Sequence, residues 1–220
     1  MADTTDTGLN LWKKQLGRVP ERVWERTGLE TLILADNGLT EISERIGKLQ
    51  KLQTLDLGHN ELEELPDALG DLIGISGFLY LHDNRLTSIP PTLGRLKNLR
   101  YLNLSENRLI AFPEAICGME GLVELRITDN QIAALPDCIA DLSSLRELHL
   151  RNNALTALPD SVGKLSELRQ LDLRGNPLTS LPETIRAMPK LEKLDLRWVS
   201  SLQPLEWLEE LEARGCLVYR

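Results

Sequence analysis

The sequence predicts an α/β solenoid, a right-handed superhelix with a parallel β-sheet on its concave face. Short helical, 3-10 or extended segments are expected on the convex face. Three observations predict this fold: an asparagine that recurs at a fixed interval, a leucine frame that repeats around it, and degenerate copies of the frame at both ends. A fixed period of roughly 20 to 50 residues indicates stacked supersecondary units.

The recurring asparagine sets the period of the repeat. Consecutive copies are 23 residues apart, except for one step of 24 residues between Asn60 and Asn84. An amide side chain in a turn can bond the neighbouring backbone groups, which explains why the same residue type returns at each turn. The recurring residues are Asn37, Asn60, Asn84, Asn107, Asn130, Asn153 and Asn176.

A leucine frame surrounds each asparagine and reads L-x-x-L-x-L-x-x-N-x-L-x-x-L-P-x-x-I-x-x-L. Its L-x-L step predicts a short strand whose alternate side chains point into the core. The Leu-Pro step ends the extended segment, and proline suits the start of a short helical or extended return. One such unit cannot bury its own apolar edge, so at least about three must stack.

This frame resembles that of the leucine-rich repeat family, in the 23-residue class that carries the Leu-Pro step. Bacterial repeat proteins and the repeat domains of Ras-suppressor and Roco type have this class of repeat. The resemblance extends over nearly the whole chain, because seven copies lie close to the consensus. It implies a leucine-rich repeat solenoid in which the seven asparagines form a ladder inside the stack. It is specific for the fold and says little about the function.

We expect a single domain over residues 1–220, with a cap at each end. Residues 1–28 are the N-terminal cap and a degenerate repeat, in which Lys14 takes the asparagine position and Trp24 belongs to the cap. Residues 29–190 are the seven regular repeats. Residues 191–220 are a partial repeat and a C-terminal helical cap.

The C-terminal cap is predicted from a change of period. Val199 stands at the asparagine position of the partial repeat. Beyond it, three leucines follow helical spacing: Leu205, Leu208 and Leu211. Gly215 is a helix stop signal. We therefore expect a short helix that closes the core, with Trp207 packed beside it.

The extra residue of the 24-residue step falls within residues 73–77, which contain Gly74 and Gly77. The two glycines suggest a small bulge in the third repeat. Two readings are open: a tolerated loop insertion, or a local kink that shapes a binding site.

Charge and hydropathy argue against several function classes. The formal net charge is −8, whereas a general binder of nucleic acid or of an anionic membrane needs a basic face. No segment approaches the roughly 18 to 20 apolar residues of a membrane span. Residues 1–8 are polar and acidic, without the basic and apolar regions of a secretory signal.

Three widely spaced cysteines, Cys117, Cys138 and Cys216, bear on the compartment. An odd number without clustering is not expected to form a disulfide framework. Cys117 and Cys138 stand beside Ile116 and Ile139, and we expect them to pack as small apolar groups. These features favour a cytoplasmic protein.

Aromatic residues gather in one part of the predicted concave face. Solvent-facing residues of neighbouring repeats form columns there, about 4.8 Å apart. Phe78, Tyr80, His82 and Tyr101 lie in adjacent columns of the third and fourth repeats, beside His59. Exposed aromatics in a concave surface are typical of protein-binding hot spots. The alternative is that these bulky side chains only cover the sheet.

A second candidate group, suited to an acidic partner, lies in the C-terminal half of this face. Its residues are Arg126, His149, Arg151, Arg174, Arg197 and Trp198. Neighbouring columns supply four carboxylates: Glu124, Glu147, Asp172 and Asp195. Cross-strand ion pairing is therefore the alternative reading, and both stay open.

The column directly before the asparagines is mostly acidic. It holds Asp36, His59, Asp83, Glu106 and Asp129. Carboxylates suit hard cations, but no dedicated loop supports a metal there, and a solvated acidic edge is the simpler reading. We assign no metal site and no cofactor.

We assign no catalytic residue either. The phosphate-binding, dinucleotide-binding and nucleophile-elbow motifs do not occur. His82, Asp83 and Ser105 can be drawn as a triad, but the fixed strands make this spacing accidental and nothing shields it from water.

The sequence therefore favours a cytoplasmic scaffold or adaptor, not an enzyme, that binds a protein or peptide partner on its concave face. The alternative is a bacterial effector that is translocated into a host cell and acts through a partner protein. A metal-binding or catalytic site on the acidic column is a third hypothesis. We expect a monomer that binds neither nucleic acid nor membrane.

Overall fold

A computed structural model describes residues 7–220, so the first six residues of the expected N-terminal cap lie outside it. Within this range, ten parallel strands of three residues form one sheet, in which each strand pairs with its neighbours in chain order. The predicted solenoid is confirmed. The strands are β1 (Gly8–Asn10), β2 (Thr31–Ile33), β3 (Thr54–Asp56), β4 (Phe78–Tyr80), β5 (Tyr101–Asn103), β6 (Glu124–Arg126), β7 (Glu147–His149), β8 (Gln170–Asp172), β9 (Lys193–Asp195) and β10 (Leu217–Tyr219).

Short 3-10 helices line the other side of the stack. In the described part of the chain there are eight, each of five residues: Glu21–Glu25, Glu44–Lys48, Asp67–Asp71, Pro91–Arg95, Glu114–Gly118, Asp137–Asp141, Asp160–Lys164 and Glu183–Ala187. A proline directly precedes all but one of them, because its fixed φ and missing N–H suit a helix start. The exception begins after Ser43, whose hydroxyl accepts a hydrogen bond from the Arg45 backbone N–H at 3.2 Å.

The leucine frame fills the space between strands and helices. The middle residue of every strand from β2 to β9 is a buried leucine, and the apolar core runs without a break from Val19 to Cys216. Burying one such side chain stabilises the fold by roughly 1.5–3 kcal/mol. Leucine therefore supplies the core of this aromatic-poor chain.

The seven recurring asparagines lie buried along one line of the stack. In each, Nδ2 donates to backbone carbonyls of its own and the preceding repeat, as Asn107 does to Leu104 O and Leu81 O. Oδ1 accepts from a backbone N–H of the preceding repeat, as Asn107 does from Leu86 N. The side chains thus satisfy turn groups that would otherwise be buried without a partner.

The residue before each asparagine has a left-handed backbone. The positive φ values at this column run from 50° at Asp83 to 67° at Gly175. Asn, Asp, His and Gly are the residue types that tolerate this region best. The column is composed mainly of these types: Asp36, His59, Asp83, Asp129, Asn152 and Gly175. The backbone conformation therefore accounts for most of the residue types in this column, including its three aspartates.

The extra residue of the third repeat is absorbed before the strand begins. Ile75 is buried and Ile73 is exposed, while β3 and β4 keep the regular register, with Thr54 opposite Phe78. The sheet is therefore not shifted at this point.

The C-terminal end differs from the expected helical cap in one respect. A helix, α1 (Leu208–Ala213), follows Pro204, but the chain then returns after Gly215 and adds β10 to the sheet beside β9. Leu208, Leu211 and Cys216 are buried against the last repeat. The helix lies where the sequence predicts it, and the segment after Gly215 adds a strand that the sequence analysis did not foresee.

The expectation that the cysteines form no disulfide was wrong, although Cys117 lies in the apolar core and Cys138 packs against it, as predicted. Cys117 and Cys138 form a disulfide between consecutive repeats, with Cα atoms 5.7 Å apart. Cys216 is free and buried, and burial raises the pKa of its thiol. The cysteine count therefore no longer supports a reducing compartment.

None of the described helices has the length and apolar composition needed to span a bilayer.

Candidate functional site

The first and third residues of each strand project from the concave face. In β4, Phe78 is exposed and Tyr80 half-buried, while Leu79 between them is buried. The strand register places Tyr101 beside Phe78 and Asn103 beside Tyr80. The columns derived from the sequence are therefore real rows of side chains in the structure.

Phe78, Tyr80, His82 and Tyr101, which we call the aromatic cluster, are brought together as predicted. Ring centroids are 5.6 Å apart for Phe78 and Tyr101, 5.1 Å for Tyr80 and Tyr101, and 6.1 Å for Tyr80 and His82. Phe78 keeps 46% of its surface exposed. Mutual packing of this kind restricts the positions of the rings.

The two tyrosines of the cluster stay protonated at neutral pH. Burial raises the pKa of Tyr80, and the Asp56 and Glu124 carboxylates raise it further. Burial also raises the pKa of Tyr101, against the opposing effect of Arg126. Both hydroxyls can therefore donate hydrogen bonds to a ligand.

His59 and His82 form a pair at the edge of the cluster. Their rings meet edge to face, 4.6 Å apart. The two Nε2 atoms are 3.2 Å apart, and His59 Nδ1 is 2.7 Å from Asp83 Oδ2. Burial lowers the pKa of His82, and the neighbouring His59 lowers it further. Gly58 makes room for this arrangement, because a Cβ there would lie 2.4 Å from His82 Cε1.

The arginines of the second group are occupied by carboxylates of the same face. Arg174 donates to Asp172 Oδ1 and Oδ2 at 2.8 and 2.6 Å, and Arg197 binds Asp195 in the same way at 2.9 and 2.6 Å. Arg151 donates to Asp129 at 2.8 Å. These contacts match the alternative reading, in which the chain pairs its own charges.

Trp198 lies at the C-terminal end of this row and is 69% exposed. The guanidinium carbons of Arg174 and Arg197 are 5.9 and 5.8 Å from its ring centroid. The ring centroid of Tyr219, in β10, lies 5.2 Å from the guanidinium carbon of Arg197, so Tyr219 adjoins the same arginine and tryptophan group. Sequence reasoning missed Tyr219, because its place depends on the unforeseen tenth strand.

Glu124, Glu147 and His149 form a further group between these two areas. His149 Nε2 lies 3.2 Å from Glu147 Oε2 and 3.9 Å from Glu124 Oε1. Arg126 donates to Glu124 at 2.5 Å. Sequence reasoning named each of these residues but treated the carboxylates only as ion-pair partners.

The acidic column and the notional triad do not assemble into a site. Asp83 contacts His59 and not His82. Ser105 Oγ accepts a weak hydrogen bond from the Thr128 backbone N–H at 3.3 Å. Asp36 pairs with Lys13 at 3.2 Å. These contacts give no nucleophile a general base.

Family models described as leucine rich repeat match residues 78–132 and 136–198, and a two-copy model of the same repeat matches residues 27–70. No curated protein sequence matches the chain.

Solved structures with the same architecture include a leucine-rich repeat protein of Leptospira interrogans, at 28% identity and a TM-score of 0.52 over 91% of this chain and 63% of that one. A second is the ectodomain of the membrane receptor kinase GASSHO1/SCHENGEN3 from Arabidopsis thaliana, in complex with Casparian strip integrity factor 2. It matches at 30% identity and a TM-score of 0.69, over 92% of this chain and 28% of the receptor chain. The plant peptide hormone receptor RGFR1, in complex with RGF2, matches at 26% identity and a TM-score of 0.68, over 91% of this chain and 37% of the receptor chain. The chain thus spans less than two thirds of each.

Proposed function

Because the chain belongs to the leucine-rich repeat family, we propose that it is a protein–protein interaction module that binds a protein or peptide partner on its concave face. The aromatic cluster carries this proposal. It presents an exposed Phe78 beside two tyrosines whose hydroxyls remain protonated.

Binding at this cluster would bury apolar surface at a small cost in conformational entropy. Large aromatic side chains bury much apolar area, and they lose little conformational entropy when their neighbours already hold them. The rings of Phe78, Tyr80 and Tyr101 are already in mutual contact. A partner that covers them therefore gains hydrophobic contact without first ordering the surface.

The solved complexes support a peptide or protein as the ligand class. Two of the similar structures are plant receptors bound to a factor or a hormone. Both are longer than this chain, so their ligands suggest only the chemical class of the partner. A monomer with one concave surface is the simplest form of this proposal.

Two alternatives exist for the role and the location of the module. A cytoplasmic scaffold or adaptor would meet its partner in a reducing compartment, whereas a translocated effector would meet it in another cell. The Cys117–Cys138 disulfide favours passage through an oxidising compartment, where such bonds persist.

The test is a binding measurement with a matched pair of variants. Partners are first captured from lysate and culture medium of the source cell, identified, and then purified for calorimetry. Phe78→Ala/Tyr101→Ala should weaken binding of the purified partner by at least about 1–2 kcal/mol, the scale of one hot-spot residue.

Ile73→Ala/Ile110→Ala is the control. It removes two exposed apolar side chains outside the strands and should leave the affinity unchanged. Equal affinity of the wild-type protein and the Phe78/Tyr101 variant would move the site away from the aromatic cluster. Loss of affinity in the control alone would place the site near Ile73 or Ile110.

A further inference from the structure

We propose that Glu124, Glu147 and His149 form a binding site for one divalent first-row transition-metal cation. One potential ligand atom from each residue lies within 4.8 Å of the other two. Two carboxylates and one imidazole form a donor set that Mn²⁺, Fe²⁺, Co²⁺ and Zn²⁺ accept. The inference goes beyond the proposed protein-binding function and does not depend on it.

The backbone of the sheet places the three residues. Glu124 of β6 lies directly opposite Glu147 of β7 in the parallel register. His149 is two residues further along β7, so its side chain leaves the same face. The ligands therefore come from two adjacent strands in the middle of the sheet and not from a mobile loop.

The group needs only side-chain rotation to close on an ion. Metal–ligand bonds of about 2.0–2.2 Å place two ligand atoms of one ion about 3–4.4 Å apart. The present separations are all below 4.8 Å, so the contraction needed is at most on the order of 1 Å. Glutamate side chains have enough free torsions for this movement.

A carboxylate already stands on the far side of the histidine. Asp172 Oδ2 lies 3.9 Å from His149 Nδ1, while Nε2 faces the two glutamates. Asp172 itself accepts hydrogen bonds from Nε and Nη2 of Arg174. Metal-bound histidines commonly have such a partner on the second nitrogen, because it orients the ring and makes the ligand more basic.

The charges of the face also favour a cation here. Like charges directly opposite each other in a sheet are destabilising, and Glu124 faces Glu147. Arg126 pairs with Glu124, and Arg174 and Arg197 are taken by Asp172 and Asp195. Among the basic side chains of residues 7–220, only His149 contacts Glu147, and this contact is an ion pair only when His149 is protonated. A divalent cation between the two glutamates supplies the missing positive charge.

The site is accessible to an ion from solution and still partly shielded. The side chains of His149, Glu124 and Glu147 retain 17, 22 and 33% of their exposure. Three protein ligands leave further coordination positions open on the concave side.

The test uses MnCl₂ as the probe on the full chain. Wild-type protein should show one saturable site by calorimetry. Paramagnetic broadening of backbone amide signals should be strongest at residues 124–126 and 147–149. Glu147→Gln and His149→Asn should each weaken Mn²⁺ binding at least tenfold, because each removes a ligand atom while keeping the side chain polar.

Two control variants separate this site from other metal-binding side chains. His59→Asn/His82→Asn removes the other two histidines of the chain, and Glu106→Gln removes a carboxylate of the acidic column. Both should retain wild-type affinity. Melting without metal shows that each variant is folded.

Three results would overturn the site: no saturable binding of Mn²⁺ or Zn²⁺, an affinity unchanged in Glu147→Gln and His149→Asn, or broadening centred on His59. In the first case, the three side chains form a closed ion-pair network only. None of these results bears on whether the aromatic cluster binds a protein.

Discussion

Asn130 Oδ1 accepts a hydrogen bond from the backbone N–H of Leu109, 21 residues earlier in the chain, at 3.0 Å. Its Nδ2 donates to Leu104 O in the same preceding repeat and to Thr128 O in its own, both at 3.0 Å. One buried side chain therefore joins two consecutive repeats. The same pattern recurs from Asn37 to Asn176.

Replacing Asn130 tests this linkage. Asn130→Ala should lower the free energy of unfolding by about 2–4 kcal/mol, because it leaves the Leu109 N–H and the carbonyls buried without partners. Urea denaturation followed by circular dichroism measures the loss. Asn98→Ala, at an exposed position, is the control and should stay within about 0.5 kcal/mol of wild type. Similar small losses in both variants would contradict a structural role for the ladder.

The left-handed column gives a second prediction, at Glu106, whose φ is 56°. Glu106→Gly should change the free energy of unfolding by less than about 1 kcal/mol, since relief of backbone strain offsets the greater freedom of glycine in the unfolded chain. Glu106→Val should lower it by about 1–2 kcal/mol, because a branched Cβ suits this region poorly. Thermal melting of both variants decides; a stable valine variant would count against the backbone explanation.

Asp172 gives a prediction about pH. Burial alone would raise its pKa, but hydrogen bonds from Arg174 and His149 outweigh burial and hold the pKa well below the ordinary range. The folded-state pKa is thus below the unfolded value of about 3.9. The stabilisation is therefore fully present well above that value and is lost progressively as the pH falls below it toward the folded pKa.

Asp172→Asn should accordingly lower the free energy of unfolding by about 1–3 kcal/mol at pH 7, and the difference from wild type should shrink between pH 4 and pH 2. Urea titrations across this range measure it. Gln170→Ala, in the same strand and without an ionisable group, should give a constant difference. A difference for Asp172→Asn that does not vary with pH would mean that Arg174 contributes little to its charge state.

The disulfide gives a fourth prediction. Closing a loop of about 20 residues stabilises a fold by about 3 kcal/mol in the chain-entropy account. Cys117→Ser/Cys138→Ser should therefore unfold at lower urea concentration than wild type, and reductant should shift only the wild type. Alkylation of unreduced, denatured protein should label Cys216 alone. Labelling of all three cysteines in freshly isolated protein would show that the bond does not form in the cell.

The period and the leucine frame were enough to predict the sheet, its register and the solvent-facing columns, because each repeat must align its leucines with those of the next. Thr54 opposite Phe78 and Glu124 opposite Glu147 both follow from that alignment. The acidic column shows the limit of reading chemistry from residue type alone. Asp83 and Asp129 occupy left-handed positions, and this requirement selects their type.

Features outside the frame could not be predicted in the same way. Ile116 and Ile139 hold the same position in consecutive repeats. Cys117 follows the first and Cys138 precedes the second, so the two cysteines are at different positions of the repeat. Whether their Sγ atoms meet depends on side-chain directions that a period does not specify. Similarly, Leu217–Tyr219 has no counterpart in the repeat, and its pairing with β9 depends on the direction in which the chain leaves α1.

The spacing of the strands sets the length that a peptide needs to span the concave face. Neighbouring strands are about 4.8 Å apart, so Phe78 in β4 and Trp198 after β9 are separated by five spacings, or about 24 Å. An extended peptide advances about 3.3 Å per residue. A peptide of fewer than about seven residues can therefore reach one of these aromatic ends but not both.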